Sequence, residues 1–316
     1  MARNIGATNT NMFKDWLSKQ KATIPEMPDV EKVTDRVVRV LGGNPGEMQL
    51  QGTNTYLIGT GSRRILLDSG EGMASWAENI TGYLRGHKIE LAYVLLSHWH
   101  GDHTGGVPDL LAYDPSLEDR IYKHTPDAGQ RPIRDDQVFK VEGATVRALF
   151  TPGHSIDHMC FVLEEENALF TGDNVLGHGF SVEEDLGEYH RSLCRMRDQG
   201  CALGYPAHGT VIANLPAKMD MYIRRKEQRE RSVVDTLRRR SDTGLPGHTV
   251  KEVVRALHGD INSEVAAQGI EPDIAQVLKK LAEDRRVGFT NVKGSRRWFL
   301  KDCGSALKSS LIRAVA

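Results

Sequence analysis

Cysteine is scarce in this chain. Cys160, Cys194, Cys201 and Cys303 are the four among 316 residues, and no two stand in Cys-x-x-Cys spacing. That excludes a disulfide-stapled scaffold or a thiolate zinc ribbon and fits reduced thiols, mostly buried, in a cytosolic protein. Aromatic residues make up only 6%, which leaves little for the interleaved surface rings of a single-strand nucleic-acid platform. Long hydrophobic runs are missing too, and nothing approaches the ~20 apolar residues that span a bilayer. Met1-Ala2-Arg3-Asn4-Ile5-Gly6 lacks the apolar core of a signal peptide, so a cytoplasmic location is expected. Hydrophobic content of 39% and charged content of 26% are ordinary for a globular protein.

An excess of one charge is absent overall, with a net charge of -1, but the two ends differ. From Pro216 onward there are 21 Lys and Arg against 13 Asp and Glu, and the remainder holds 20 against 29. The basic part opens with a helix-like run at 219–240 carrying Arg224-Arg225-Lys226, Arg229, Arg231 and Arg238-Arg239-Arg240. After the Gly244-Leu245-Pro246-Gly247 break, Thr249-x-x-Glu252 is a capping box that opens an amphipathic helix with Val253, Val254 and Leu257. A further helix is expected at about 272–284. Strands at 287–290 and 298–300 then flank a basic turn, Lys293-Gly294-Ser295-Arg296-Arg297. Helix, helix and hairpin of this length suggest a winged-helix-type module. A chain of this length accommodates one large α/β domain beside such a small one.

What is present in concentration is histidine. His98-Trp99-His100-Gly101-Asp102-His103 places four potential metal ligands in six residues, directly after the apolar run Leu91-Ala92-Tyr93-Val94-Leu95-Leu96. Packing gives no reason for three imidazoles and an acid at one strand-to-helix turn. Gly105-Gly106 follow and keep that turn tight. His154, Asp173 and His208 come later, each after an apolar strand-like run: Thr151-Pro152-Gly153-His154, Gly172-Asp173 and Tyr205-Pro206-Ala207-His208. Five imidazoles and two carboxylates suit two adjacent divalent ions. A workable division puts His98, His100 and His154 on one ion and Asp102, His103 and His208 on the other, with Asp173 between them. Zinc fits such a set first and manganese second. Two ions so placed would activate a shared water and polarise the carbonyl or phosphoryl group it attacks, which is hydrolytic chemistry. His87, His124, His190, His248 and His258 read as packing or surface histidines.

The run His98-x-His100-x-Asp102-His103, with His154, Asp173 and His208 in order, resembles the metallo-β-lactamase superfamily over about residues 33–235. The resemblance implies an α/β fold, a four-layer αβ/βα sandwich with its metals at one edge between two sheets. Strand-like runs at 36–41, 53–58, 65–68, 91–96, 144–150, 159–163 and 168–170 are compatible. So are helical stretches at 74–85 and from Ser181, where Ser181-x-x-Glu184 has capping-box chemistry. The expected organisation is an N-terminal arm at 1–32, a catalytic domain at 33–215 and the basic winged-helix-like module at 216–316. The lactamase branch proper typically lacks an Asp corresponding to Asp173, so β-lactamase activity is not expected.

The Gly-rich segment 42–56, which should overhang the metals, the His98–Gly106 run, Gly172-Asp173-Asn174-Val175-Leu176-Gly177 and the Arg-rich helix together resemble the lactamase-beta-like subgroup. Within it the whole chain looks most like the fungal atrochrysone carboxyl acyl-carrier-protein thioesterases of non-reducing polyketide pathways. That resemblance implies release of a polyketide thioester from the acyl carrier domain of a synthase, by hydrolysis or by Claisen-type ring closure. Asp102 would take the proton of the attacking water. An acidic carrier domain would find the basic module complementary; the plain alternative is a solvated face that supports the catalytic domain. The other functional reading is a metal-dependent single-strand endoribonuclease of the same subgroup, with RNA gripped by the same module, and a hydrolase of small thioesters is a third. Asn174 and His158 are candidates for orienting the ligands, His178 for a proton donor, and Tyr56, Trp99 and Phe180 for an aromatic pocket, with core packing the stronger reading for Tyr56.

Overall fold

The computed structural model describes residues 24–261 and 270–301. The expected amphipathic stretch at 12–20, most of the expected arm, and Cys303 lie outside the described residues. Two compact units divide within one long helix, between Ile223 and Arg224.

In the first unit, β1 (Val30–Lys32), β2 (Val37–Leu41), β3 (Asn54–Ile58), β4 (Arg63–Leu67), β5 (Glu90–Leu96), β6 (Ile121–Lys123) and β7 (Arg131–Pro132) form one sheet in chain order. The first four run antiparallel, and β4 to β7 run parallel. A second sheet has the order β12-β11-β10-β9-β8, from β8 (Val138–Val141), β9 (Ala144–Phe150), β10 (Met159–Leu163), β11 (Ala168–Gly172) and β12 (Leu203–Pro206). Strand alternation sorts the apolar side chains between layers. Val37, Tyr56, Ile58, Ile65, Leu67 and Leu95 of the first sheet meet Val146, Ala148, Met159, Phe161 and Phe170 of the second in one core. The opposite face of the first sheet, including Val38, Leu57, Leu66 and Val94, packs on Trp76, Ile80 and Leu84 of α1 (Ala74–His87) and Leu110 of α3 (Val107–Tyr113). Leu149, Cys160, Val162 and Leu169 face Tyr189, Leu193 and Met196 of α4 (Leu186–Arg197) and Met219 and Tyr222 of α5 (Leu215–Arg238). The result is a four-layer α/β sandwich. Because both faces of the central strands are covered, β2, β3, β10 and β11 are buried along their whole length.

One local expectation needs correction. The helix does not open at Ser181. α4 starts at Leu186, capped by the Asp185 carboxylate, which accepts the Glu188 N–H at 2.9 Å. The Gly153 carbonyl takes the N–H groups of both Glu184 (2.8 Å) and Asp185 (3.0 Å), and this tether holds the preceding residues as a loop. Tyr56 is core, in line with its stronger reading: it is 2% exposed and its hydroxyl donates to the Pro206 carbonyl at 2.7 Å.

In the second unit the end of α5 is followed by α6 (Val250–His258), α7 (Glu271–Glu283) and the hairpin of β13 (Val287–Val292) and β14 (Ser295–Leu300). The Thr249–Glu252 capping box forms, in both directions. Val253, Val254, Ile274, Val277, Leu278, Leu281, Val287 and Trp298 are buried. The hairpin turn is tighter than expected, made by Lys293 and Gly294 at φ 50° and 78°, as a two-residue turn with positive φ requires. Arg296 and Arg297 therefore belong to β14. Arg297 is buried: its guanidinium binds Glu252 at 2.6 Å, the Gly247 carbonyl at 2.8 Å and Ser241 Oγ at 3.0 Å. It is a structural cation and not part of a surface basic turn. Among the described residues no helix is long and apolar enough to cross a membrane.

Candidate metal centre

The carboxyl ends of the parallel strands converge at one edge of the sandwich. Ser97–His98 follow β5, Asp68 follows β4, the 151–158 loop follows β9, Asp173 follows β11 and His208 follows β12. Cross-links between the sheets close that edge, Met159 N–H to Ser97 O (2.8 Å) and Asn54 N–H to Ala207 O (2.6 Å), and within the second sheet Ala207 N–H reaches Gly172 O (3.1 Å). A single helical turn, α2 (Gly101–Thr104), then presents Asp102 and His103 beside His98 and His100.

All seven residues singled out in the sequence meet here, in two groups. His98, His100, His154 and Asp173 form one; Asp102, His103 and His208 form the other, and within each group the possible ligand atoms lie within 4.8 Å of one another. His100 Nδ1 stands 2.9 Å from His98 Nε2 and 3.1 Å from His154 Nε2. Asp173 spans both groups. Its Oδ2 is 3.4 Å from His154 Nε2, 3.6 Å from His103 Nε2 and 3.9 Å from His98 Nε2, while Oδ1 is 3.2 Å from His208 Nε2. Asp102 Oδ2 is 3.4 Å from both His103 Nε2 and His208 Nε2.

The outer hydrogen bonds decide which ring nitrogens carry protons. Asp68 accepts from the Ser97 N–H (2.7 Å) and Ser97 O–H (2.9 Å), and its Oδ2 accepts from His103 Nδ1 at 2.9 Å. With its own proton on Asp68, Ser97 Oγ accepts from His98 Nδ1 at 2.9 Å. His154 Nδ1 donates to the Val182 carbonyl at 2.7 Å, in the loop that is not a helix. His98 Nε2 and His154 Nε2 are therefore acceptors, and both face His100 Nδ1. A cation there would take all three nitrogens as ligands; the edges of a tetrahedral zinc site with ~2.0–2.1 Å bonds are close to the two nitrogen–nitrogen distances seen. His103 Nε2 and Asp173 Oδ1 are buried and make no well-aligned hydrogen bond, only ion-pair contacts of 3.2–3.6 Å with other members of the cluster, which is costly for groups so deep. Donor type, convergence and orphaned atoms all fit a pair of divalent ions.

Electrostatics divides the same histidines. Burial holds His98 well below the ordinary imidazole range, with His103 adding to the effect, and burial with His154 lowers His100. Burial also pulls on His103 and His208, but Asp173 and the other carboxylates outweigh it. His103 rises well above its usual value and His208 is pushed up to about 9. The matching carboxylates, Asp102 and Asp173, resist burial and lie below their usual range because His103 and His208 face them.

The remaining candidates fall out unevenly. Thr53, at the end of the Gly-rich segment, donates to Asp102 Oδ2 at 3.0 Å and is itself held by Asn44. His158 and Asn174 are fully buried behind the site. His178 lies partly buried after Gly177, whose N–H donates to the His208 carbonyl at 2.8 Å. Trp99 packs edge-on against His100 and is 50% exposed. Sequence reading did not pick out Asp68 and Ser97. Their only signal is position: an acid and a hydroxyl at the carboxyl ends of two apolar strands that pair in parallel.

A family profile described as the metallo-beta-lactamase superfamily matches residues 48–240. The chain is 58% identical over 297 residues to lactamase-like protein adaB of Aspergillus niger, covering 92% of this chain and 93% of that protein. It is 57% identical over 292 residues to lactamase-like protein vrtG of Penicillium aethiopicum, covering 91% and 94%. Among solved structures, a beta-lactamase domain protein from Burkholderia ambifaria superposes with a TM-score of 0.68 at 16% identity, over 88% of this chain and 95% of that one. A metallo-beta-lactamase family protein from Thermus thermophilus gives 0.59 at 21%, over 85% and 100%. These two show the fold.

Proposed function

The chain belongs to the metallo-β-lactamase superfamily, and from that premise we propose that it is a dinuclear metal-dependent thioesterase. It releases a polyketide from the acyl carrier domain of a non-reducing polyketide synthase, in the cytoplasm. The observation that carries the hydrolytic part is Asp173 lying between two imidazole groups, its Oδ2 facing His154, His103 and His98 and its Oδ1 facing His208. His98, His100 and His154 would hold one ion, Asp102, His103 and His208 the other, and Asp173 both, zinc being the first expectation and manganese the second. Bound there, the pair would supply an activated water and a Lewis acid for the thioester carbonyl.

The chain's own residues do the rest. Thr53 and the two facing imidazoles keep Asp102 ionised, so its carboxylate accepts a proton as the water oxygen bonds to the acyl carbon. The C–S bond then breaks toward a pantetheine thiolate, a good leaving group with a pKa of ~8.5, and no strong general acid is required. The ring-closing variant would form a C–C bond in place of C–O, with the same C–S bond broken.

An apolar acyl group is supported by the rim. Of the large apolar side chains that stand exposed among the described residues, Met48, Trp99, Ile156, Phe180 and Val182 sit on loops that carry ligands or run to them. Such a concentration marks a place where an apolar ligand is received. The choice of a polyketide on a carrier domain rests on the resemblance to the fungal carrier-protein thioesterases. The endoribonuclease reading uses every ligand in the same way and draws on the basic excess after Pro216.

Asp173→Ala tests the dinuclear site. It should cut metal-dependent thiol release by at least about a thousandfold and leave fewer than two ions bound per chain; full turnover with two ions bound would contradict the assignment.

A further inference from the structure

His158 is a fully buried imidazole beside the site that the ligand set does not use. Its ring centroid lies 5.1 Å from that of His98 and 5.8 Å from that of His154, yet its nitrogens face elsewhere. Nε2 stands 3.0 Å from the backbone nitrogen of Asp173. An amide N–H can only donate, so Nε2 carries no proton and accepts. The ring proton is then on Nδ1, which donates to Thr151 Oγ1 at 3.1 Å, and the Thr151 hydroxyl donates onward to Cys160 Sγ at 3.2 Å. The Thr151 N–H also donates to the His158 carbonyl at 2.9 Å. The same pair thereby closes the base of the loop that carries His154.

Two neighbours show that this contact is built. Gly172 has φ +50°, and a Cβ placed on it would fall 2.5 Å from His158 Nε2. The backbone bearing Asp173 approaches the imidazole at a distance only glycine permits. On the other side, Asn174 Nδ2 donates to the Thr151 carbonyl at 2.8 Å and the Tyr189 hydroxyl donates to the Asn174 carbonyl at 2.5 Å.

We infer that His158 is the positioning residue for Asp173: its unprotonated Nε2 fixes the Asp173 peptide N–H and so holds the carboxylate between the two groups, with Oδ2 facing His154, His103 and His98 and Oδ1 facing His208. Through Thr151 it also ties the His154 loop to the Asp173 turn. The inference rests on the ligand set proposed above and is independent of the substrate.

The test is zinc affinity of the full chain, read by competition with a chromophoric chelator, for His158→Gln, His158→Asn and His158→Leu. Gln carries an amide oxygen at the depth of Nε2, whereas Asn reaches only the depth of Nδ1. Gln should bind zinc within about threefold of the parent, while Asn and Leu should bind about 10–100-fold more weakly. The cobalt-substituted Asn and Leu proteins should show altered visible spectra. Melting of the metal-free proteins separates a packing role, which would lower stability without ranking zinc affinity by the presence of the acceptor. Leu binding zinc like the parent, or Gln binding as weakly as Leu, would overturn the inference. If Leu does not fold, the Gln–Asn comparison decides. A parent protein that binds no zinc would overturn the ligand set and this inference together; two ions bound without the expected ranking would overturn only the role of His158.

Discussion

His98 and His100 are held neutral mainly by burial, whereas His103 and His208 keep protons because carboxylates surround them. Without metal at pH 7, His98 and His100 offer lone pairs, and the second group holds imidazolium paired with Asp102 and Asp173. An ion entering the second group must displace those protons. Its apparent affinity should therefore fall as pH drops below about 9, the value to which His208 is raised. Calorimetric titration at pH 7 in two buffers of different ionisation enthalpy should show proton release mainly in the weaker of two binding events. Equal release in both events would show that the two groups do not differ in this way. At this scale the ligands were legible in the sequence because four of them are contiguous and each of the others ends an apolar run. Asp68 and Ser97 were not, since their value comes from His103, 35 residues from Asp68 in the chain, and from pairing between strands that sequence spacing does not reveal.

The elements follow the same logic. Strands around the site were readable as apolar runs because sheets covered on both faces bury every position. The short strands β1, β6 and β7 and the half-exposed β8 have no such pattern. Ser181-x-x-Glu184 misled because a capping box is local chemistry, while the Gly153 carbonyl that tethers Glu184 and Asp185 comes from another loop. The tether has a use, since that loop supplies the carbonyl that orients His154. In the second unit, Arg297 and Arg296 are adjacent on β14 yet differ sharply. Arg297→Met removes one partner of a buried, multiply bonded ion pair and should destabilise the unit by about 3 kcal/mol. Arg296 stacks on Phe289 at 4.5 Å, and Arg296→Met should cost about 1 kcal/mol or less. Hydrogen exchange across β13 and β14 distinguishes them: similar protection in both variants would refute the structural role given to Arg297.

Across the whole molecule, charge is divided by sequence position, with the acidic excess before Pro216 and the basic excess after it. Arg224 and Arg225 stand exposed on α5. If that surface receives an acidic carrier domain, Arg224→Glu with Arg225→Glu should raise KM for a carrier-bound substrate about tenfold. It should leave KM for the same acyl group on free pantetheine unchanged, and added salt should narrow the difference. Equal effects on both substrates would remove the docking role. The fold was legible at this scale because the ligand order implies it; the partner was not, because a basic surface recognises polyanions of several kinds. The most direct measurement is therefore a side-by-side assay of the metal-loaded protein on an aromatic polyketide thioester borne by a carrier domain and on a labelled single-stranded RNA, with His98→Ala/Asp102→Ala as control. The thioesterase account predicts thiol release that requires metal and vanishes in the control, with the RNA intact. Metal-dependent cutting of the RNA without thiol release would contradict it.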